Sequence, residues 1–113
     1  MADKTFQLWV QVLDWHDGDT FHGILDHGCF IYRGTVAKPL RYRCALINAP
    51  ELDTSTGPAA RDYANLIAPP GEYACISTGI DTYGRPLLDL MLSGGFLFSE
   101  AMMAAGHVVP YKR

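Results

Sequence analysis

Hydrophobic and polar side chains alternate along the first stretch of the chain. Phe6, Leu8, Val10 and Val12 interleave with Gln7, Trp9, Gln11 and Leu13. A period of two predicts a strand over 5–14 with one face turned to a core. His16-Asp17-Gly18 has the chemistry of a turn, and a second strand is expected over 20–26. His27-Gly28 then turns the chain into an apolar stretch from Cys29 to Tyr32. Gly34 and Pro39 mark an irregular or edge segment, and Leu40 to Ile47 is the third main strand. Proline at Pro58 suits the first turn of a helix carrying Ala59, Ala60, Tyr63, Ala64, Leu66 and Ile67. Pro69-Pro70-Gly71 stops it. Two more strands are expected at 72–77 and 86–92, around a turn holding Tyr83-Gly84. A short helix over 99–105 should end at Gly106.

Three strands, a helix, two strands and a helix form the order of a small five-stranded Greek-key barrel of the OB type, an α+β arrangement. The 113 residues suit one domain, 1–113. Hydrophobic residues make up 49% and charged ones 19%, a globular mix rather than a disordered one. No apolar run reaches the ~20 residues of a membrane span. Met-Ala-Asp-Lys at the start has no apolar signal core, so a cytoplasmic protein is expected. Cys29, Cys44 and Cys75 show no CxxC spacing and read as reduced thiols. His16, His22, His27 and His107 lack metal-ligand spacing.

The net charge of −3 argues against salt-steered gripping of duplex nucleic acid. Its distribution changes the picture. No acid falls between His27 and Pro50, where Arg33, Lys38, Arg41 and Arg43 all lie.

Three polar fragments carry the candidate chemistry. Asp17-Gly18-Asp19-Thr20 is a tight-turn sequence, and it also starts a strand from which Asp19 can aim an oxygen ligand at a hard cation. In Asn48-Ala49-Pro50-Glu51, proline holds Ala49 extended; Asn48 offers an amide oxygen and Glu51 a carboxylate. The plain alternative is an Asx-type turn with an exposed glutamate. Arg43 and Arg85 present planar forks that suit phosphate oxygens. Arg43 could equally form a structural ion pair with Asp19 or Glu51, and Arg85 could solvate its turn.

The set Asp-Gly-Asp-Thr, Arg-x-x-x-Ile-Asn-Ala-Pro-Glu, Asp-x-Tyr-Gly-Arg-x-Leu and Glu-Ala-x-x-x-x-Gly resembles the staphylococcal nuclease (thermonuclease) family, in the family's order, over residues 6 to 111. The resemblance implies an OB-like barrel that hydrolyses DNA or RNA phosphodiesters with Ca²⁺, preferring single-stranded or flexible substrate. It implies Asp19, Asn48 and the Ala49 carbonyl as metal ligands. It implies Glu51 as the residue that activates or orients water, Arg43 and Arg85 as the phosphate grip, and Tyr83 and Tyr111 as the lining of a nucleotide pocket. Three departures stand out. Asn48 replaces the family's aspartate, which removes a negative charge. The stretch from Phe21 to Leu40 is longer and reads as an extended hairpin. The sequence supplies no third, C-terminal helix, so Phe96, Leu97, Phe98, Met102 and Met103 are expected to leave apolar surface for self-association into a homo-oligomer. The alternative function is a catalytically impaired barrel of this kind that binds nucleic acid or a protein partner.

Overall fold

A computed structural model describes residues 6–29 and 31–110. Strand β1 (Phe6–Asp17) pairs antiparallel with β2 (Thr20–Asp26) on one side and β6 (Gly71–Ile80) on the other. Beyond β6 lies β7 (Pro86–Leu90). Strand β2 also carries β3 (Tyr32–Arg33) at one end and β4 (Leu40–Arg43) at the other. The path β4-β2-β1-β6-β7 curls back on itself. Cys44, just past β4, bridges Leu88 of β7, and the Ala45 N–H donates to the Leu88 carbonyl at 2.8 Å. The result is a small α+β domain built on a strongly curled antiparallel half-barrel. A two-stranded ribbon of β5 (Ile47–Asn48) and β8 (Val109–Pro110) stands beside it, with helices α1 (Gly57–Ile67) and α2 (Phe98–Ala104).

The alternation of β1 explains how the sheet faces its core. Val10 and Val12 point inward, and Trp9 is left more than half exposed. A register shift between Val12 and Asp14 then exchanges the faces, so that Trp15, rather than an even-numbered residue, turns inward. Trp15 stacks on Phe98 at 4.8 Å and donates its indole N–H to the Ala68 carbonyl at 2.8 Å. Phe21, Leu25, Tyr42, Ile47, Leu88, Leu90 and Met102 complete the core. Helix α1 buries small residues, Ala60 and Ala64, which let its backbone approach the sheet closely. Helix α2 is fixed at its start by Asp89, which accepts from the Ser99 amide (3.0 Å) and hydroxyl (2.5 Å).

Several elements differ from the expected ones. The first strand runs through His16 to Asp17, because the turn it enters has only Gly18 and Asp19 at its centre. The strand expected over 40–47 is two strands. Leu46 has φ +71°, a left-handed conformation that ends one ladder and starts another. Of the described residues in the stretch 29–32, Tyr32 alone joins a strand, with Arg33 following it. Phe98 and Met102, expected on bare surface, are fully buried, and Phe96 and Met103 are exposed. Two α-helices occur among the described residues, and no helix there is long and apolar enough to cross a membrane.

Candidate functional site

Asp17 pairs with Thr20, and Thr20 pairs with Arg43 across the next ladder, so the β1–β2 turn and the end of β4 share one corner. The Asp19 carbonyl accepts the Cys44 N–H at 2.7 Å and ties the two together. Asp19 is nearly fully buried. Its Oδ1 accepts the Thr20 hydroxyl at 2.9 Å, and its Oδ2 accepts the Ala49 amide at 2.8 Å. One nitrogen of Arg43, Nη2, is ringed by three oxygens. These are Asn48 Oδ1 at 3.0 Å, the Ile47 carbonyl at 3.4 Å and Asp19 Oδ2 at 3.5 Å.

Three oxygens from the turn and from β5 converge on the Arg43 guanidinium. Oxygens of this kind are the donors a hard cation takes, and here they are engaged with Arg43. The set is lean in charge, because Asn48 brings an amide and Ala49 meets the corner through its N–H. Among the described residues, no three His, Cys, Asp or Glu side chains gather as a metal cluster.

Asp17 is the acid that the motif reading passed over. Burial pushes its carboxyl up to about 7, and the neighbouring Asp19 adds to the rise. Asp17 Oδ1 accepts the Asp19 N–H at 3.1 Å. The signal in the sequence was the spacing itself, since two carboxylates two apart across a tight turn must feel each other.

Arg85 lies at the other end of the site, after β6. Its Nε meets Asp81 Oδ2 at 3.1 Å, and its Nη1 donates to the Arg41 carbonyl at 2.8 Å. Its guanidinium sits 5.0 Å from the centre of the Tyr83 ring. Asp81 Oδ1 accepts the Tyr83 and Arg85 amides at 2.8 and 2.9 Å. Burial works to raise the Asp81 carboxyl, but these amides and the Arg85 charge outweigh it and hold it below the usual carboxylate range.

Arg43, Arg85 and Tyr83 line one cavity of about 570 Å³. Arg41, Asp81 and Leu46 line it too, and sequence reasoning missed all three as site residues. For Leu46 the reason is its left-handed backbone, which delivers an apolar side chain to a polar rim and stands at a place where strain often marks function. Asn48 and Ala49 line a second cavity rather than this one. Glu51 lines neither. It is exposed, and its carbonyl accepts the Thr54 amide and hydroxyl at 3.1 and 2.6 Å. Tyr111 lies outside the described residues. The structure therefore brings Asp19, Arg43, Asn48 and Ala49 to one corner and joins Arg43 to Arg85 and Tyr83 across one cavity. No known family model matches this chain and no curated protein matches it, so the family resemblance rests on the motif residues alone.

Proposed function

We propose that the chain is a nucleic-acid phosphodiesterase of the staphylococcal nuclease type, a Ca²⁺-dependent endonuclease acting on single-stranded or flexible DNA or RNA. The observation that carries this reading is the meeting of two guanidiniums, Arg43 and Arg85, in one cavity with Tyr83. Phosphoryl transfer needs positioning and charge neutralisation more than covalent chemistry. Two planar forks lining one cavity supply both for a phosphate bound there. The Tyr83 ring, 81% exposed, offers a platform for a base that has left its stack, which favours unpaired substrate.

Asp19 and Asn48 are the groups that would hold the cation, with the Ala49 carbonyl as the further ligand that the family resemblance implies. When bound, it supplies Lewis-acid neutralisation of a phosphate oxygen. Arg43 binds the phosphate and opposes its growing charge, and Arg85 does the same while Asp81 fixes its orientation. Glu51 has the chemistry to take a proton from attacking water.

A second reading is favoured by a specific feature. The oxygens of Asp19 and Asn48 are already engaged with Arg43, and Glu51 stands outside both cavities. A corner held together without an added ion suits a non-catalytic barrel that binds nucleic acid or a protein partner. Cleavage of heat-denatured DNA and of RNA, with Ca²⁺ and with EDTA, separates the two. We expect Ca²⁺-dependent cleavage that disappears in Arg43→Ala. Absence of cleavage by the wild-type chain in millimolar Ca²⁺, with binding that survives EDTA, would establish the binding barrel instead.

A further inference from the structure

The second cavity, of about 470 Å³, is not used by the grip just described. Its walls include Asn48, Pro50, Ala59, His107 and Val109. Asn48 also accepts the Arg43 hydrogen bond at 3.0 Å, and Arg43 lines the first cavity. A lining residue of one cavity, Arg43, is thus hydrogen-bonded to a lining residue of the other, Asn48.

A phosphodiester has the same layout, one phosphate with a nucleoside on either side. Ligand cavities run from about 300 to 1,000 Å³, and each of these two is of that size. The lining of the second divides as a nucleoside requires. Pro50, Ala59 and Val109 offer apolar surface to the face of a base. The His107 ring and the Thr56 hydroxyl offer polar atoms to its edge or to a sugar hydroxyl. The His107 ring is packed at 4.7 Å against Tyr63 of α1, which fixes its plane. Neither wall carries a charged side chain, so this cavity selects the nucleoside and leaves the phosphate to the arginines.

We infer that the second cavity is the subsite for the nucleoside across the phosphate from the one on Tyr83, so that the unit recognised is a dinucleotide. This rests on the phosphodiester reading above. It assigns His107, Thr56 and Ala59 to substrate binding, and it gives a role to the hydrogen bond between Arg43 and Asn48.

The test is calorimetric titration of the full chain, in Ca²⁺, with thymidine monophosphate and with a phosphorothioate-linked dithymidine that resists cleavage. We expect the dinucleotide to bind at least tenfold more tightly than the mononucleotide. Ala59→Trp fills the cavity from the first turn of α1, and His107→Ala removes its ring. Each should bring the dinucleotide to the mononucleotide's affinity while leaving the mononucleotide unchanged. Mononucleotide binding with no dinucleotide advantage, or an advantage retained in either variant, overturns the subsite and spares the phosphodiester reading. Failure of the wild-type chain to bind either ligand overturns that reading, and the subsite with it.

Discussion

Two turns of this molecule join an aspartate, a glycine and an arginine, and they are built in opposite ways. At Asp17–Thr20 the acid and its arginine come from distant parts of the chain. Asp19 is buried and held by the Thr20 hydroxyl, the Ala49 amide and Arg43. At Asp81–Arg85 the partners are four residues apart, and the turn stands at the rim with Tyr83 and Gly84 exposed. The first turn is part of the fold's closure, because removing it unties β2, β4 and β5 together. The second is joined to β4 by one bond, from Arg85 to the Arg41 carbonyl, and presents its tyrosine outward. A pair of long range binds architecture to chemistry; a pair four residues apart leaves most of the fold untouched.

The largest effect expected from this contrast is on stability. Asp19→Ala takes the acceptor from the Thr20 hydroxyl and the Ala49 amide and the anion from beside Arg43, and each buried donor left without its acceptor costs about 1–3 kcal/mol. Asp19→Ala should lose that order of stability in urea denaturation. Asp81→Ala should lose about 1 kcal/mol, since its pair is short-range and partly solvated. Equal losses in the two variants would erase the distinction between the turns.

The two turns should also respond to pH with opposite signs. The Asp17 carboxyl is pushed up to about 7, mainly by burial. Between about pH 4 and 7 the folded chain therefore keeps a proton that the unfolded chain has released, and stability falls as pH rises through that window. One pKa unit corresponds to about 1.4 kcal/mol, so a loss of a few kcal/mol is expected across that window, with Asp19 adding to the effect of burial. Asp17→Asn keeps the acceptor for the Asp19 amide and cannot ionise, so its thermal midpoint should exceed the wild type's near pH 8 by more than it does near pH 5. Asp81 is held low. Its contribution is present above the unfolded value near 4 and is lost as pH falls through the folded one, so Asp81→Asn should differ from wild type least in acid. Midpoint curves for Asp17→Asn that run parallel to wild type would remove Asp17 as the source of the slope.

What the sequence made legible follows the same division. Strands with one buried face announce themselves through period two, as Phe6 to Val12 does, and α1 is bracketed by its prolines. The turn at Asp81–Arg85 was readable because the bonds of Asp81 to Tyr83 and Arg85 are local. The corner around Asp19 was readable only as separate fragments. That Arg43 contacts both Asp19 and Asn48 depends on the curl of the sheet, which no fragment contains. The break at Leu46 was invisible for a related reason. A leucine takes a left-handed backbone only when bonds elsewhere force it, and here β4 and Cys44–Ala45 are tied to β2 and Leu88 before β5 begins. Arg41 and Leu46 therefore reach the cavity through tertiary structure, and local pattern does not report them.

The smallest effects fall on the two glycines, and they sharpen the comparison because the mechanisms differ. A Cβ on Gly18 would stand 2.9 Å from the Ala60 Cβ and 3.0 Å from the Ala49 Cβ, closer than packed carbons come. The obstacle is space, since the turn is pressed against α1 on one side and the start of the Ala49–Glu51 loop on the other. A Cβ on Gly84 meets nothing within 4 Å, but the backbone there has φ +77°, which costs an L-residue about 1 kcal/mol or a little more. Gly18→Ala should lose about 1–2 kcal/mol through overpacking and should disturb the oxygens around Arg43, weakening the Ca²⁺ binding we propose, as read by calorimetry. Gly84→Ala should lose about 1 kcal/mol and leave Ca²⁺ affinity unchanged, because its strain stays within the rim turn. Asparagine tolerates the left-handed region, so Gly84→Asn should recover most of that loss, whereas Gly18→Asn, being larger, should be worse than alanine. Rescue by asparagine at both positions would mean that Gly18 is also a matter of backbone conformation, and that the first turn is less tightly packed against α1 than its contacts imply.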